Sequence, residues 1–426
     1  MPRPVFSFLI AGILLAGSLP LTAQKFLPKT IQFKGDPEYT DQELLDAAGL
    51  KKGVTFTSAE MQDHASQLMD SGVFDNLTYK FNGVDLVFTL VPAAQLFPMR
   101  LENLPLTPGK ELDAQLHERF PLYHGKVPVE GGLLDQVRQA LEEMLAAKGI
   151  SAAITATPFT DPKLQKVTAL TFAIASPPVE VGEIHADAAS SSLDPKAQEI
   201  LTKLAGSPYN AEGSPNQIAT YLGNFYHDQG YLEAEIHANP QGAPVITPEA
   251  IRIPFLVSVS PGPQYKLKSI QLAPGLAVAQ ADFDHQSTIH PGEIAGGQRL
   301  TEEWELIARQ YHNKGYMKAS VHPNPSFDRA QGTVSFAVTA EPGPVYTMGK
   351  LTIENVSDDL RAMMLAEWKM PAGAVFNEGA VRNLFAVGDA NLKLKQVFAT
   401  VNCKYSLQLN DVARTVDVVL RLEKKN

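Results

Sequence analysis

The feature that most constrains this chain is a phrase that recurs at intervals of roughly 80 residues, the period of a tandem array. An amphipathic helix is followed by Gly with an apolar or aromatic residue, then by an alternating strand. The phrase stands at Gly72-Val73-Phe74, Gly149-Ile150, Gly230-Tyr231-Leu232 and Gly315-Tyr316-Met317. A repeat of this size predicts copies of one small α+β unit and moves the search for function from a single active site to an array. With 44% apolar and 19% charged residues, 30 Gly and 31 Pro, the composition is that of a folded protein rich in turns, and each unit is expected to bury a modest core of its own.

The first copy reads most clearly. Ile31 and Phe33 alternate with polar residues, a short strand by period, and Thr40 with Glu43 supplies a capping box for a helix carrying Leu44 and Leu45 and ending near Gly49. Thr57 with Glu60 opens a second helix, its stripe made by Met61, Ala65, Leu68 and Met69, which Gly72 stops. Strands at Leu77 to Phe81 and Asp85 to Val91 follow, joined by Asn82-Gly83, a strong hairpin signal. The order is β-α-α-β-β. It returns in four further copies, tracked by second-helix stripes at Leu134, Val137, Leu141 and Leu145, at Ile218, Leu222 and Phe225, at Leu300, Trp304, Ile307 and Tyr311, and at Val381, Leu384 and Phe385. The fifth copy lacks the Gly-aromatic phrase and keeps only Gly388. Pro-rich joints separate the later copies, at Pro177-Pro178, Pro261 to Tyr265 and Pro342 to Tyr346, and are expected to act as semi-rigid hinges.

The expected organisation is a signal peptide over 1–23 and five units over 27–92, 96–176, 178–260, 264–341 and 345–424. The N-terminal segment has Arg3, the apolar run Val5 to Ala16 and then Leu21-Thr22-Ala23, the layout of a secretory signal cut after Ala23. The alternative is an uncleaved anchor over Val5 to Leu21, slightly short of the roughly 20 residues a spanning helix needs. The single cysteine, Cys403, forms no internal disulfide; it falls on the apolar side of the last hairpin, where a buried, inert thiol is expected. A net charge of -10, with both signs interspersed, disfavours nucleic acid or an anionic membrane as the main partner.

Repeated β-α-α-β-β units with a Gly-aromatic phrase behind a signal peptide resemble the POTRA domain, as found in the periplasmic part of the BamA/TamA outer-membrane assembly family. Five is also the number of units in the BamA branch. The resemblance implies units with a three-stranded sheet covered by two helices, a periplasmic location near the outer membrane, and a scaffold that binds unfolded outer-membrane segments or a barrel or lipoprotein partner. The sequence as given leaves no room after the fifth hairpin for the eight or more strands of a membrane barrel, so only docking and scaffolding carry over. Alternatives are an inner-membrane-anchored interaction protein of the division type and a docking subunit for a separately encoded barrel.

In such units the exposed edge is usually the second strand. An unpaired edge is a template for an extended guest. The candidate segments are Tyr79 to Phe81, Ala153 to Thr157, Ala234 to His237, Lys318 to Val321 and Val401 to Leu407, with Pro158, Pro240 and Pro323 read as guards that end three of them. The groove between edge and second helix, near Phe225 and Tyr231 or Tyr311 and Tyr316, is where guest side chains would sit, although these aromatics read first as core. No nucleotide, metalloprotease or hydrolase motif is present, so neither catalysis nor a cofactor or small-molecule substrate is expected. His227, His237, His285, His290, His312 and His322 show no metal-ligand spacing, and Asp282, Asp284 and His285 beside Ser287 read as a solvated loop rather than a triad.

Overall fold

Thr40 and Thr57 each accept a hydrogen bond from the backbone N–H three residues on, while Glu43 and Glu60 return one, so both helices of the first copy start where the capping boxes put them. The structure, a computed structural model, describes residues 25–35, 38–188, 193–385 and 392–424. The proposed signal segment and Gly388 lie outside them. No helix among the described residues is long and apolar enough to cross a membrane.

The first copy has β1 (Lys25–Phe26), β2 (Thr30–Lys34), α1 (Asp41–Ala48), β3 (Phe56–Thr57), α2 (Ser58–Asp70), β4 (Phe74–Phe81) and β5 (Asp85–Pro92). Its sheet runs β2-β5-β4: β2 lies parallel to β5 with Ile31 opposite Leu86, and β4 is antiparallel to it. Ile31, Leu86, Phe88 and Leu90 turn one sheet face onto Leu44, Leu45, Met61 and Leu68 of the helices, all of them buried. That two-layer arrangement is forced by one apolar stripe per element. The hairpin departs from a two-residue turn. Asn82, Gly83 and Val84 form the loop, and the Asn82 side chain accepts from the Val84 and Asp85 amides at 2.9 and 2.6 Å.

The second copy contains β6 (Leu96–Leu101), α3 (Lys110–Arg119), β7 (Lys126–Pro128), α4 (Gly132–Ala146), β8 (Ile154–Asp161) and β9 (Lys166–Ile174), with strand order β7-β6-β9-β8. The third contains β10 (Val179–Ala186), α5 (Pro195–Leu204), α6 (Gly213–Asp228), β11 (Glu235–Pro240), β12 (Val245–Ile246) and β13 (Ile251–Ser260), ordered β10-β13-β11 with β12 on β13. In the fourth, β14 (Lys266–Leu272), α7 (Gln280–Gln286), α8 (Gly297–His312), β15 (Ser320–Asp328) and β16 (Thr333–Glu341) give β14-β16-β15. In the fifth, β17 (Thr347–Glu354), α9 (Asp358–Glu367), α10 (Glu378–Phe385), α11 (Leu392–Thr400), β18 (Val401–Asn410) and β19 (Thr415–Lys424) give β17-β19-β18. The chain is therefore a tandem array of POTRA-like α+β units, and among the described residues no sheet closes on itself.

By internal contact the chain separates into two compact units: one runs up to Ile184 and adds Leu204–Pro215 and Pro240–Phe255, and the other holds His185–Lys203, Asn216–Asn239 and the residues from Leu256 onward.

Several local expectations are corrected. Residues 282–286, read as a loop, belong to α7, which buries Phe283. The fifth copy carries α11, an extra helix that periodicity did not mark. Pro158 and Pro323 do not end their strands: Pro158 lies opposite Leu170 within β8, and Pro323 and Pro325 lie opposite Val338 and Phe336 within β15. On α6, Tyr226 rather than Phe225 completes the buried stripe with Ile218 and Leu222. Cys403 is half-buried, because β18 lies at a sheet edge and its inward face is only partly covered.

Candidate functional site

The hairpin's first strand forms one edge of the main sheet in each of the five copies. Among the described residues β4, β8, β11, β15 and β18 each pair on one side only, with β5, β9, β13, β16 and β19. The opposite border is treated differently. In the second copy β7 pairs with β6, and in the next three copies a residue from the interhelical turn bridges the first strand: Pro208 to Glu180, Ile294 to Lys266 and Val375 to Thr347. From the second copy to the fifth, one border of the sheet is thus partly closed by its own unit, while among the described residues the hairpin border has no further strand beside it.

The ten residues marked from sequence fall on or beside these open strands. Tyr79 and Phe81 lie in β4, Thr157 in β8, His237 in β11, Val321 in β15, and Val401 and Leu407 in β18; Ala153, Ala234 and Lys318 fall just ahead of their strands. Tyr79 is 39% exposed. The strands are not equivalent as templates. A proline in a fully paired edge strand occupies a position whose N–H would point outward, so Pro158 in β8 and Pro323 and Pro325 in β15 delete outward donors. β4 and β18 contain no proline. The first amide of β8 is also occupied, since Ile154 donates to the Glu142 carboxylate at 2.8 Å.

A groove of about 420 Å³ runs between α4 and the start of β8, lined by Glu142, Glu143, Ala146, Ser151, Ala152 and Ala153. Its small residues make it shallow, with alanines beside the Glu142 and Glu143 carboxylates. Of the aromatics proposed to line such grooves only Tyr311 is buried; Phe225, Tyr231 and Tyr316 are half-buried, Tyr316 meeting Tyr311 edge-on at 6.1 Å and Tyr231 meeting buried Tyr226 at 6.0 Å.

The joints between copies are built to one plan. Tyr265 and Tyr346, the last residues of the two Pro-Gly-Pro segments, are fully buried, and their backbone amides donate to the carbonyls of Gly230 and Gly315 at 2.8 Å in both cases. Each tyrosine hydroxyl then reaches a carboxylate that is itself ion-paired. Tyr265 bonds Glu233, which Arg329 grips at 2.6 and 3.1 Å; Tyr346 bonds Asp411 at 2.7 Å, and Asp411 takes Lys318 at 2.6 Å. Glu233 and Lys318 both stand three residues after the joint glycine, so one geometry recurs with its charges exchanged. Helix N-termini dock on the preceding copy as well: Gln298 donates to Asp228 at 2.7 Å and Gly379 to Asn313 at 2.8 Å. Beside the last of these, Glu378 accepts from His312 at 2.8 Å and Tyr405 at 3.0 Å, with Arg382 at 3.0 Å; His312 foremost holds its carboxyl below the ordinary range against the opposing effect of burial.

Ser287 donates to the Ile289 carbonyl at 3.0 Å and Asp284 accepts from Gln280 at 2.7 Å, bonds that commit both away from a triad with His285. Sequence spacing did not reveal one cluster: Glu43 of α1, His117 of α3 and His124 of the following loop meet with one ligand atom each, all within 4.8 Å. Glu43 lies far from the two histidines in sequence and on another copy, so no local motif could have signalled the set.

A family model described as "POTRA: Surface antigen variable number repeat" matches residues 29–93. The outer membrane protein assembly factor BamA of Buchnera aphidicola subsp. Acyrthosiphon pisum (strain APS) is 18% identical over 434 residues, spanning 98% of this chain and 68% of the relative. Among solved structures, BamA POTRA3-5 of Haemophilus influenzae is similar at 17% identity and a TM-score of 0.43, covering 59% of this chain and 98% of that one. POTRA1-3 of the periplasmic domain of Omp85 from Anabaena is similar at 18% identity and a TM-score of 0.24, with coverage of 59% and 97%.

Proposed function

We propose that this POTRA-domain protein, which resembles the periplasmic part of the BamA/TamA family, is a non-enzymatic scaffold of outer-membrane protein assembly or secretion. It receives extended segments of clients or partners by adding them to its sheet edges. The observation that supports this reading most is the asymmetry repeated from the second copy to the fifth, in which the hairpin border is open and the opposite border is bridged. Main-chain hydrogen bonds at such an edge give affinity that tolerates sequence, and alternate side-chain contacts add selection. The relative aligned over 98% of the chain is named as an assembly factor of outer membrane proteins, which agrees with this role.

Among the five borders, β4 and β18 are the principal templates, because they run for 8 and 10 residues without proline. β15 is guarded by two. The chain is exported to the periplasm by its N-terminal segment, with Gln24 as the first residue of the processed form. A photo-reactive amino acid placed at Tyr79 or Ser406 is expected to capture extended outer-membrane segments in the exported protein, and one at Ser326 on β15 to capture few. Equal labelling at all three positions, or capture confined to helix positions such as Gln139, would count against edge pairing.

A further inference from the structure

We propose that Glu43, His117 and His124 form a binding site for a divalent cation of the zinc type, which would pin the first copy to the second. The three residues come from two copies, α1 of the first and the α3–β7 segment of the second. Glu43 and His117 are each tied to backbone of their own copy, while His124 is placed by its contacts with Glu43, His117 and Tyr39.

Glu43 is the third residue of α1, and its Oε2 is taken up by the Thr40 amide at 2.7 Å and the Thr40 hydroxyl at 2.8 Å. That bond fixes the carboxylate and leaves Oε1 facing the second copy. His117 lies near the end of α3, and its Nδ1 is 2.9 Å from the Tyr123 carbonyl. A carbonyl only accepts, so Nδ1 carries the hydrogen and the neutral ring presents the Nε2 lone pair outward. A histidine whose second nitrogen is tied to a backbone carbonyl in this way is oriented as metal-bound histidines are. The carbonyl is itself held, because the Tyr123 hydroxyl donates to Asp113 at 2.6 Å from one turn earlier on α3. His124 completes the set, its ring edge-on to Tyr39 at 4.7 Å and to His117 at 4.9 Å.

Without a cation the His124 contact is an ordinary hydrogen bond to Glu43, and it is the neutral His117 ring that is left uncompensated. The Nε2 of His117 lies 3.4 Å and that of His124 3.1 Å from the same oxygen, Oε1 of Glu43. A neutral His117 aims a lone pair at a carboxylate oxygen, which repels unless a positive charge lies between them or the ring is protonated. Zinc bonds of about 2.0–2.2 Å to nitrogen and oxygen place neighbouring ligand atoms about 3.3–3.6 Å apart at tetrahedral angles; the His117 separation of 3.4 Å falls in this range and the His124 separation of 3.1 Å is slightly short of it. Two imidazoles and a carboxylate are a recurrent zinc donor set that leaves a fourth position for water. With 45% of its side chain exposed, His117 provides the entry path.

The test uses the full exported chain without a histidine tag, stripped with a chelator and titrated calorimetrically with Zn²⁺ alone. One equivalent is expected to bind and to raise the unfolding temperature. Glu43→Gln, His117→Ala and His124→Ala should each weaken binding by at least about tenfold, the scale of a disturbed metal shell, while His285→Ala leaves it unchanged. Glu43→Gln is the informative variant, since glutamine also serves at this position of a capping box and α1 keeps its start. Absence of zinc binding by the wild-type chain would overturn the site. So would binding that all three variants retain, and a stability loss in the variants without any zinc response would leave only a histidine–carboxylate ion pair.

Discussion

Glu233 carries the clearest electrostatic consequence of a single side chain. The two-pronged bond from Arg329, with the Tyr265 hydroxyl second, holds its carboxyl down at about 2, against an ordinary value of 4.5. Because the folded form binds its proton less readily than the unfolded form, the stabilisation is fully present above about pH 4.5 and is lost as pH falls toward about 2. Thermal unfolding followed across that window should show wild type losing more stability than Glu233→Gln, with the two curves converging at the acid end. Parallel curves would remove Glu233 from the joint's energetics. High salt should shrink the difference, since the pair is exposed. The joint glycines make a second case. Gly149, Gly230 and Gly315 all have positive φ, but a Cβ on Gly149 meets nothing within 4 Å, whereas on Gly230 it would lie 2.9 Å from the Tyr265 carbonyl oxygen and on Gly315 2.9 Å from that of Tyr346. Gly149→Ala is therefore expected to cost about 1–2 kcal/mol of backbone strain, and Gly230→Ala or Gly315→Ala roughly 1–3 kcal/mol more through overpacking, measured by denaturant unfolding. Equal losses at the three sites would contradict the docking described. The glycines were legible in the sequence as a phrase. Their partners were not, because the carbonyl that forbids a side chain belongs to a tyrosine some 30 residues away, beyond the reach of local pattern reading.

Among elements, the joints show how one backbone plan is given two electrostatic versions. Glu233 with Arg329 and Lys318 with Asp411 occupy matching places with opposite sign, and the tyrosine hydroxyl bonds whichever partner is the carboxylate. Such an exchange disfavours pairing of a copy with the wrong neighbour, since a misplaced joint would set like charges together. Lys318→Asp should therefore destabilise the fourth-to-fifth joint, and adding Asp411→Lys should recover part of the loss. A double variant no more stable than the single one would show that the pair contributes position rather than charge complementarity. Elements defined by local chemistry were readable in advance: the capping boxes at Thr40 and Thr57 and the alternating strands β18 and β19 follow directly from spacing. Elements defined by context were not. Phe283 is the buried residue that ties α7 to the core, too little periodicity for a helix of seven residues to declare itself. Prolines suggested strand ends, yet at an edge the missing N–H faces outward and β8 and β15 continue through them.

At the scale of the whole molecule, repetition is what the sequence conveyed best, since a helix stripe, a glycine and a hairpin recurring along the chain leave few architectures that bury every stripe. The candidate edges were legible as strands, and their placement at open borders required the sheet order. The cluster at Glu43 was not legible at all, because it forms only when two copies dock. Function then rests on whether backbone, rather than any particular side chain, recognises the guest. The most direct measurement is the affinity of the chain for an extended peptide of alternating apolar and polar residues, compared with two derivatives of it. One has its side chains permuted within the apolar and polar classes; the other is N-methylated on the amides of a single edge. If guests add to β4 and β18 through main-chain bonds, permutation should change affinity by no more than a few-fold and N-methylation should reduce it by about tenfold or more, the equivalent of one to two net hydrogen bonds. Unchanged binding of the N-methylated peptide, together with loss on permutation, would contradict the account.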